Sequence, residues 1–359
     1  MKKITQQIII GLIMIYIFII IVWSKEISSY VLKTIELCIN TIIPSLYIFM
    51  IVSDFLITSN IYCILGKPFS FISKYIFKIP EQMFSIFLIS SVGGYPVGAK
   101  LISTMLKSKK IDVYMAANMI PYCYFSGPAF IIGIAGINIF SDIKAGILIF
   151  ISIMISNLII AIIIGQKNSI PQTNKKTYDL DISVNNFIKS ISEGGKSIFN
   201  ICAIIVFFSS IICVLEKTGI IFVFAQTLDE CSNLNYSNSI ALIKSLIEIS
   251  NICLFEPSKQ NIPVIAALLS FGGICILLQI RNIVRDIPLK EFIFFRVTSM
   301  FLAYYICKLL CFMFYDNYLS ANSYIRVAHS QNSPIPTLFL LIMTILFLLK
   351  FSIEKTRKI

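Results

Sequence analysis

The chain has 359 residues, 57% of them hydrophobic and only 13% charged, with a mean hydropathy of +0.86. An ordinary globular protein is about 45–50% apolar and about 25% charged, so a soluble fold would lack the polar residues to cover this much apolar side chain. The composition excludes a disordered chain, a coiled coil, a disulfide scaffold and a secreted soluble domain. Uncharged runs such as 145–165 identify an all-α multi-pass membrane protein. The net charge of +12 comes from Lys and Arg in short loops between apolar runs. That distribution orients a helix bundle in a bilayer and does not mark a nucleic-acid partner.

In chain order, Met1-Lys2-Lys3 followed by an apolar run imitates a secretory signal. No small-residue cleavage site precedes Lys25-Glu26, so residues 4–23 read as an uncleaved first span. Further apolar segments are expected at 35–57, 83–106, 112–137, 145–165, 198–215, 240–255, 262–280, 292–314 and 335–350. Segment 83–106 carries Gly93-Gly94-Tyr95-Pro96 at its centre, and 240–255 carries Lys244, Glu248 and Asn251. Polar or broken backbone at membrane depth survives only where protein or a water-filled cavity surrounds it. Both segments therefore read as re-entrant hairpins. With cytoplasmic termini, that arrangement places 20 of the 30 basic residues inside and six outside, in line with the positive-inside rule.

The hairpins expose a repeated order of span, hairpin, span, span in 31–165 and again in 197–315. The first hairpin opens from inside and the second from outside. An inverted repeat with interrupted segments near the midplane is the plan of a secondary transporter. Around the repeats lie a peripheral first span (1–30), a cytoplasmic linker (166–196), and an outside loop, last span and basic cytoplasmic tail (316–359). Within the linker, 182–198 reads as a short interfacial helix that Gly194-Gly195 would break.

Polar groups at membrane depth are costly and mark function or pairing. Pro44-Ser45 reads mainly as a kink. Gly93, Gly94, Tyr95 and Pro96 free backbone groups at a hairpin tip, for a tight turn or for a ligand. Lys100, one turn on, either meets the solute or snorkels to the inner surface. Ser126-Gly127-Pro128 interrupts 112–137, because proline removes a helix hydrogen bond. The N-terminus of the resulting half-helix suits an anion. Gly272-Gly273, followed by Gln279, is its counterpart in the second half. Glu248, with Ser250 and Asn251, reads as the one carboxylate deep inside a segment and a candidate coupling or gating group. A local pair with Lys244 is the structural alternative. The ten cysteines form no C-x-x-C and read as packing thiols. His329 stands alone, so no metal site is expected. No catalytic constellation and no cofactor motif appears, so an enzyme is not expected.

Ile43-Pro44-Ser45-Leu46, the run Gly94-Tyr95-Pro96-Val97-Gly98-Ala99-Lys100, Ser126-Gly127-Pro128 with the following Ile131-Ile132-Gly133, Glu248-Ile249-Ser250-Asn251 and Ser270-Phe271-Gly272-Gly273 occur in this order. Over about residues 35–315 the series resembles the YlbJ-type family of sporulation integral membrane proteins, which carries nucleoside-recognition (Gate) domains. That family is similar in plan to concentrative nucleoside transporters. The resemblance implies a role in endospore formation, in the mother-cell-derived outer forespore membrane, with export of dipicolinic acid. The family pattern has polar residues ahead of SGP, where this chain has Tyr122-Cys123-Tyr124-Phe125, and a His where Leu277 stands. The reading is thus a transporter of a small, anionic, dipicolinate-like solute. A non-transporting sporulation scaffold and a nucleoside transporter stay open as alternatives. So do the coupling ion, H+ or Na+, and assembly into a homo-oligomer.

Overall fold

The computed structural model describes residues 2–167, 180–231 and 234–315, and among these it is helical throughout, without strands. The expected span 335–350, the outside loop before it, the basic tail and part of the linker lie outside the described residues.

The chain starts with α1 (Lys2–Val22) and α2 (Ser24–Leu37), joined at Trp23. After a π-helical turn at Cys38–Ile42, α3 (Ile43–Thr58) continues the same rod, which makes Ser24–Thr58 one helical run. The expected loop at 24–34 is therefore helical. Pro44 offers no N–H to the turn before it, and the helix widens there. Ser45 Oγ donates to Ile42 O at 3.2 Å at the same point.

Short turns α4 (Tyr62–Leu65) and α5 (Ser70–Ile72) lead to α6 (Glu81–Gly93) and α7 (Val97–Lys107), the two limbs of the first hairpin. The second segment of this half breaks as expected. Its pieces are α8 (Val113–Met119), begun where Asp112 accepts Met115 N–H at 2.7 Å, and α9 (Pro128–Phe130), continued by a π-helical stretch to Ile139. α10 (Ile143–Lys167) closes the half.

The second half opens with α11 (Val184–Lys217), which runs unbroken through Gly194-Gly195. The expected break is absent because Gly194 is needed for packing. A Cβ there would lie 2.8 Å from the Ile51 side chain of α3. α12 (Ile220–Cys231) follows, then the second hairpin, α13 (Tyr236–Ile247) and a 3₁₀ limb at Ile249–Leu254. The second broken helix is α14 (Asn261–Phe271) with α15 (Gly273–Ile283), and α16 (Lys290–Phe314) ends the half.

Each half thus reads long helix, short helical connector, hairpin, broken helix, long helix. The connectors, 62–77 and α12, are elements that the apolar runs do not announce. Packing repeats the relationship. α3 lies against α11, α10 lies against α16, and the last limb of each hairpin touches the second piece of the other half's broken helix. Among the described residues, five helices are long and apolar enough to cross a membrane: 24–58, 143–166, 184–217, 261–283 and 290–314. Side chains on the outer face of α16, including Phe301, Tyr305 and Phe312, are exposed and apolar, the surface that lipid covers in a multi-pass membrane protein. α1 joins the bundle through Tyr16, whose hydroxyl lies 2.6 Å from Ser210 Oγ on α11.

Candidate functional site

The first hairpin turns at Gly94, whose φ of +74° is closed to other residues without strain. The turn lies directly on the first helix break: a Cβ at Gly94 would come 2.9 Å from Gly127 N. Gly93, Gly94, Tyr95, Pro96, Ser126 and Gly127 are all buried here, and Pro128 is half-buried.

The second half repeats this contact with different residues. Gly272 (φ +86°) and Gly273 (φ +77°) separate α14 from α15, and a Cβ at Gly273 would come 3.0 Å from Ser245 O at the end of α13. The second hairpin breaks at Glu248, which stands in extended backbone. Its buried carboxylate accepts Ser250 N–H at 3.0 Å and Asn251 Nδ2–H at 3.2 Å, and the Ser250 hydroxyl donates to it as well. Glu248 thereby caps the 3₁₀ limb. The local pair with Lys244 is not formed, because the lysine reaches away to Glu216 on α11 at 2.9 Å.

Helix ends leave carbonyls without partners, and three side chains complete them at the close of α14. Tyr95 O–H donates to Leu269 O, Arg296 Nη1 donates to Ser270 O at 3.4 Å, and Tyr124 O–H donates to Phe271 O at 2.9 Å. The two tyrosine rings meet at a tilt of 50° with centroids 4.7 Å apart. Tyr95 on the hairpin tip and Tyr124 in the first break therefore tie the first half to the second. A Cβ at Gly272 would run into the Tyr124 hydroxyl.

Arg296 is the residue that sequence reasoning missed. It lies on α16, fully buried, with its guanidinium 4.8 Å from the Tyr124 ring centroid. It donates to Asn157 Oδ1 on α10 at 2.9 Å, to Pro121 O, and to Tyr124 O at 3.4 Å. Asn157 Nδ2 donates to Tyr124 O at 2.7 Å, and Ser156, Ser270 and Ser299 hydroxyls extend the cluster. No carboxylate lies in ion-pair range of Arg296 among the described residues. Its charge faces the carbonyl ends of both interrupted helices, where a cation is favoured.

Lys100 has internal partners. Its Nζ donates to Glu193 O of α11 at 3.0 Å and lies 3.8 Å from Asp54 Oδ1 of α3. Asp54 is 5% exposed, so Glu248 is not the only carboxylate inside an apolar segment. Beside this pair is a recess of about 70 Å³ lined by Pro96, Lys100, Asn200, Ile201, Ile204 and Gln279. Gln279 Oε1 is buried without a hydrogen-bond donor. The recess brings together three residues that the sequence singled out separately.

The first hairpin tip meets the middle of α11, where Pro96 shares the recess with Ile201 and Ile204. Beyond the tips, Lys100 reaches toward Glu193 and Lys244 toward Glu216. The hairpins approach α11 from opposite ends.

A comparison with curated proteins gives a partial match. Over 141 residues the chain is 26% identical to the sporulation integral membrane protein YlbJ of Bacillus subtilis (strain 168). The match takes in 38% of this chain and 35% of that protein's length. No family model matches the chain, and no solved structure does. The likeness to YlbJ agrees with the YlbJ-type resemblance read from the motifs. Of the fourteen singled-out residues, only Lys100, Pro128 and Asn251 are half-buried, and the rest are buried. Asp54, Tyr124, Asn157 and Arg296 complete the site, and their partners are too distant in sequence for spacing to reveal them.

Proposed function

We propose that the chain is a membrane transporter of a small, anionic, dipicolinate-like solute in endospore formation. One observation carries the reading: each hairpin tip lies on the start of a half-helix, Gly94 on Gly127 and the 245–249 turn on Gly273. Half-helix N-termini present bare N–H groups and partial positive charge, the arrangement by which secondary transporters hold anionic groups near the midplane. Lys100 adds a fixed cation on the recess. The opposite approach of the hairpins supports an inverted repeat, with both termini and the linker on the cytoplasmic side. The name of the similar Bacillus protein supports the link to sporulation. A scaffold that only recruits partners would present its motif residues outward, whereas these point inward.

The test is a ligand-stabilisation screen of the purified chain in detergent. A ligand that binds only the folded form raises apparent stability by about 2.7 kcal/mol at a hundred times its Kd. Dipicolinate should raise the unfolding temperature in a saturable way and uridine should not. Stabilisation by uridine alone would favour a nucleoside transporter. No shift with either would count against a solute site.

A further inference from the structure

We propose that two partly buried ion pairs, Lys100–Asp54 and Lys244–Glu216, are the alternate gates of this molecule, one at each end of α11. The proposal rests on the transporter reading and adds the residues that hold each side shut.

The two lysines occupy matching places. Lys100 lies one helical turn after the first tip and Lys244 one turn before the break at Glu248. Each reaches from a hairpin to a long helix. Lys100 binds Glu193 O of α11 and Asp54 of α3, with side chains 13% and 6% exposed. Lys244 binds Glu216 of α11 at 2.9 Å, with side chains 9% and 24% exposed. Tyr30 of α2 donates to the same Glu216 carboxylate, and its ring lies 6.0 Å from the Lys244 ammonium. On α11 the two receiving residues, Glu193 and Glu216, are separated by about 35 Å at 1.5 Å per residue. That is close to the ~30 Å hydrocarbon thickness of a bilayer.

One member of each pair lines a recess. Lys100 lines the recess of about 70 Å³ that holds Asn200 and Gln279. Glu216 lines a cleft of about 550 Å³ with Glu26, Tyr30 and Cys213. Both pairs are formed together here, so both hairpins are latched.

Alternation follows from the cost of separating buried charges. A lysine drawn from its carboxylate must carry its charge to water, so its hairpin can leave α11 only toward its own side. Opening both latches at once adds the two costs. The doubly open state, which would leak, is then rarer than either singly open state by the full cost of the second latch.

The test reads cysteine alkylation by N-ethylmaleimide in the full-length chain reconstituted in vesicles, quantified site by site by mass spectrometry. Asn200→Cys reports the Lys100 end and the natural Cys213 reports the Glu216 end. Asp54→Asn should speed alkylation at position 200 at least tenfold and leave Cys213 unchanged, because the two costs add. Glu216→Gln should do the reverse, and the charge-swapped pair Lys100→Asp with Asp54→Lys should restore the closed pattern. If Asp54→Asn does not fold, Lys100→Cys with Asp54→Cys, joined by a bifunctional thiol reagent, replaces it. The joined protein should protect position 200 while Cys213 reactivity stays unchanged. A rise at both ends, no change at either end, or failure of the charge swap to restore protection would overturn the gates. Flux measured on the same vesicles keeps the two readings apart. End-selective alkylation without flux supports the gates and rejects transport, and flux without end selectivity does the opposite.

Discussion

Arg296 on α16 donates to Asn157 Oδ1 on α10 at 2.9 Å, joining the closing helices of the two halves. Through Pro121, Tyr124 and Ser270 carbonyls the same guanidinium holds the first pieces of both broken helices. A planar fork with several donors is what this geometry requires, and an ammonium cannot supply it.

Arg296→Lys should therefore lower stability by about 2–3 kcal/mol, since hydrogen bonds to a charged group contribute about 1.5–3 kcal/mol each. Asn157→Ala should cost less, about 1–2 kcal/mol. The double variant should lose less than the sum, because the two share one network. Thermal unfolding of purified protein gives all three values. Additive losses would mean that Arg296 and Asn157 act separately.

Gly94→Ala should fold poorly or lose about 1–3 kcal/mol, because its φ of +74° with ψ of −175° is a region left to glycine. The new Cβ would also press on Gly127 N at 2.9 Å. Gly133→Ala, where a Cβ meets nothing within 4 Å, is the control. Equal stability for the two variants would contradict the close packing of tip on break.

These two cases show what a sequence of this kind discloses. The breaks were legible because Gly94, Pro96, Gly127, Pro128 and Gly272 contradict the apolar runs around them. Arg296 was not. It lies in the seventh position of α16, where a cation looks like an ordinary membrane-edge residue, and its partners outside the second half stand 139 to 175 residues away. Asp54 hid in the same way at the end of an apolar helix, and its partner Lys100 suggested snorkelling. Gly194-Gly195 misled in the other direction. Glycine pairs read as helix breakers, yet here the missing side chain lets α3 approach. The connectors 62–77 and α12 went unnoticed because neither forms an apolar run long enough to stand out.

Glu248→Gln should preserve the fold, since a carboxamide oxygen still accepts Ser250 N–H. If Glu248 is the coupling group, solute binding should persist while flux falls at least tenfold. Asn251→Ala removes a donor to both Glu248 O and its carboxylate and should weaken binding itself. Flux at the wild-type rate in Glu248→Gln would assign Glu248 a capping role only.

The proposed cytoplasmic side of the linker can be checked in whole cells. Lys189→Cys, near the start of α11, should resist a membrane-impermeant maleimide until the membrane is opened. Cys231, exposed at the end of α12, should react from outside. Labelling of position 189 in intact cells would reverse the orientation of the hairpins.

The most direct measurement is uptake of labelled dipicolinate by vesicles that hold the full-length chain, with Lys100→Ala beside it. Saturable uptake above protein-free vesicles, lost in Lys100→Ala while that variant stays folded and inserted, is the predicted result. Uptake no greater than in protein-free vesicles, or undiminished in Lys100→Ala, would contradict an anion site between the hairpins.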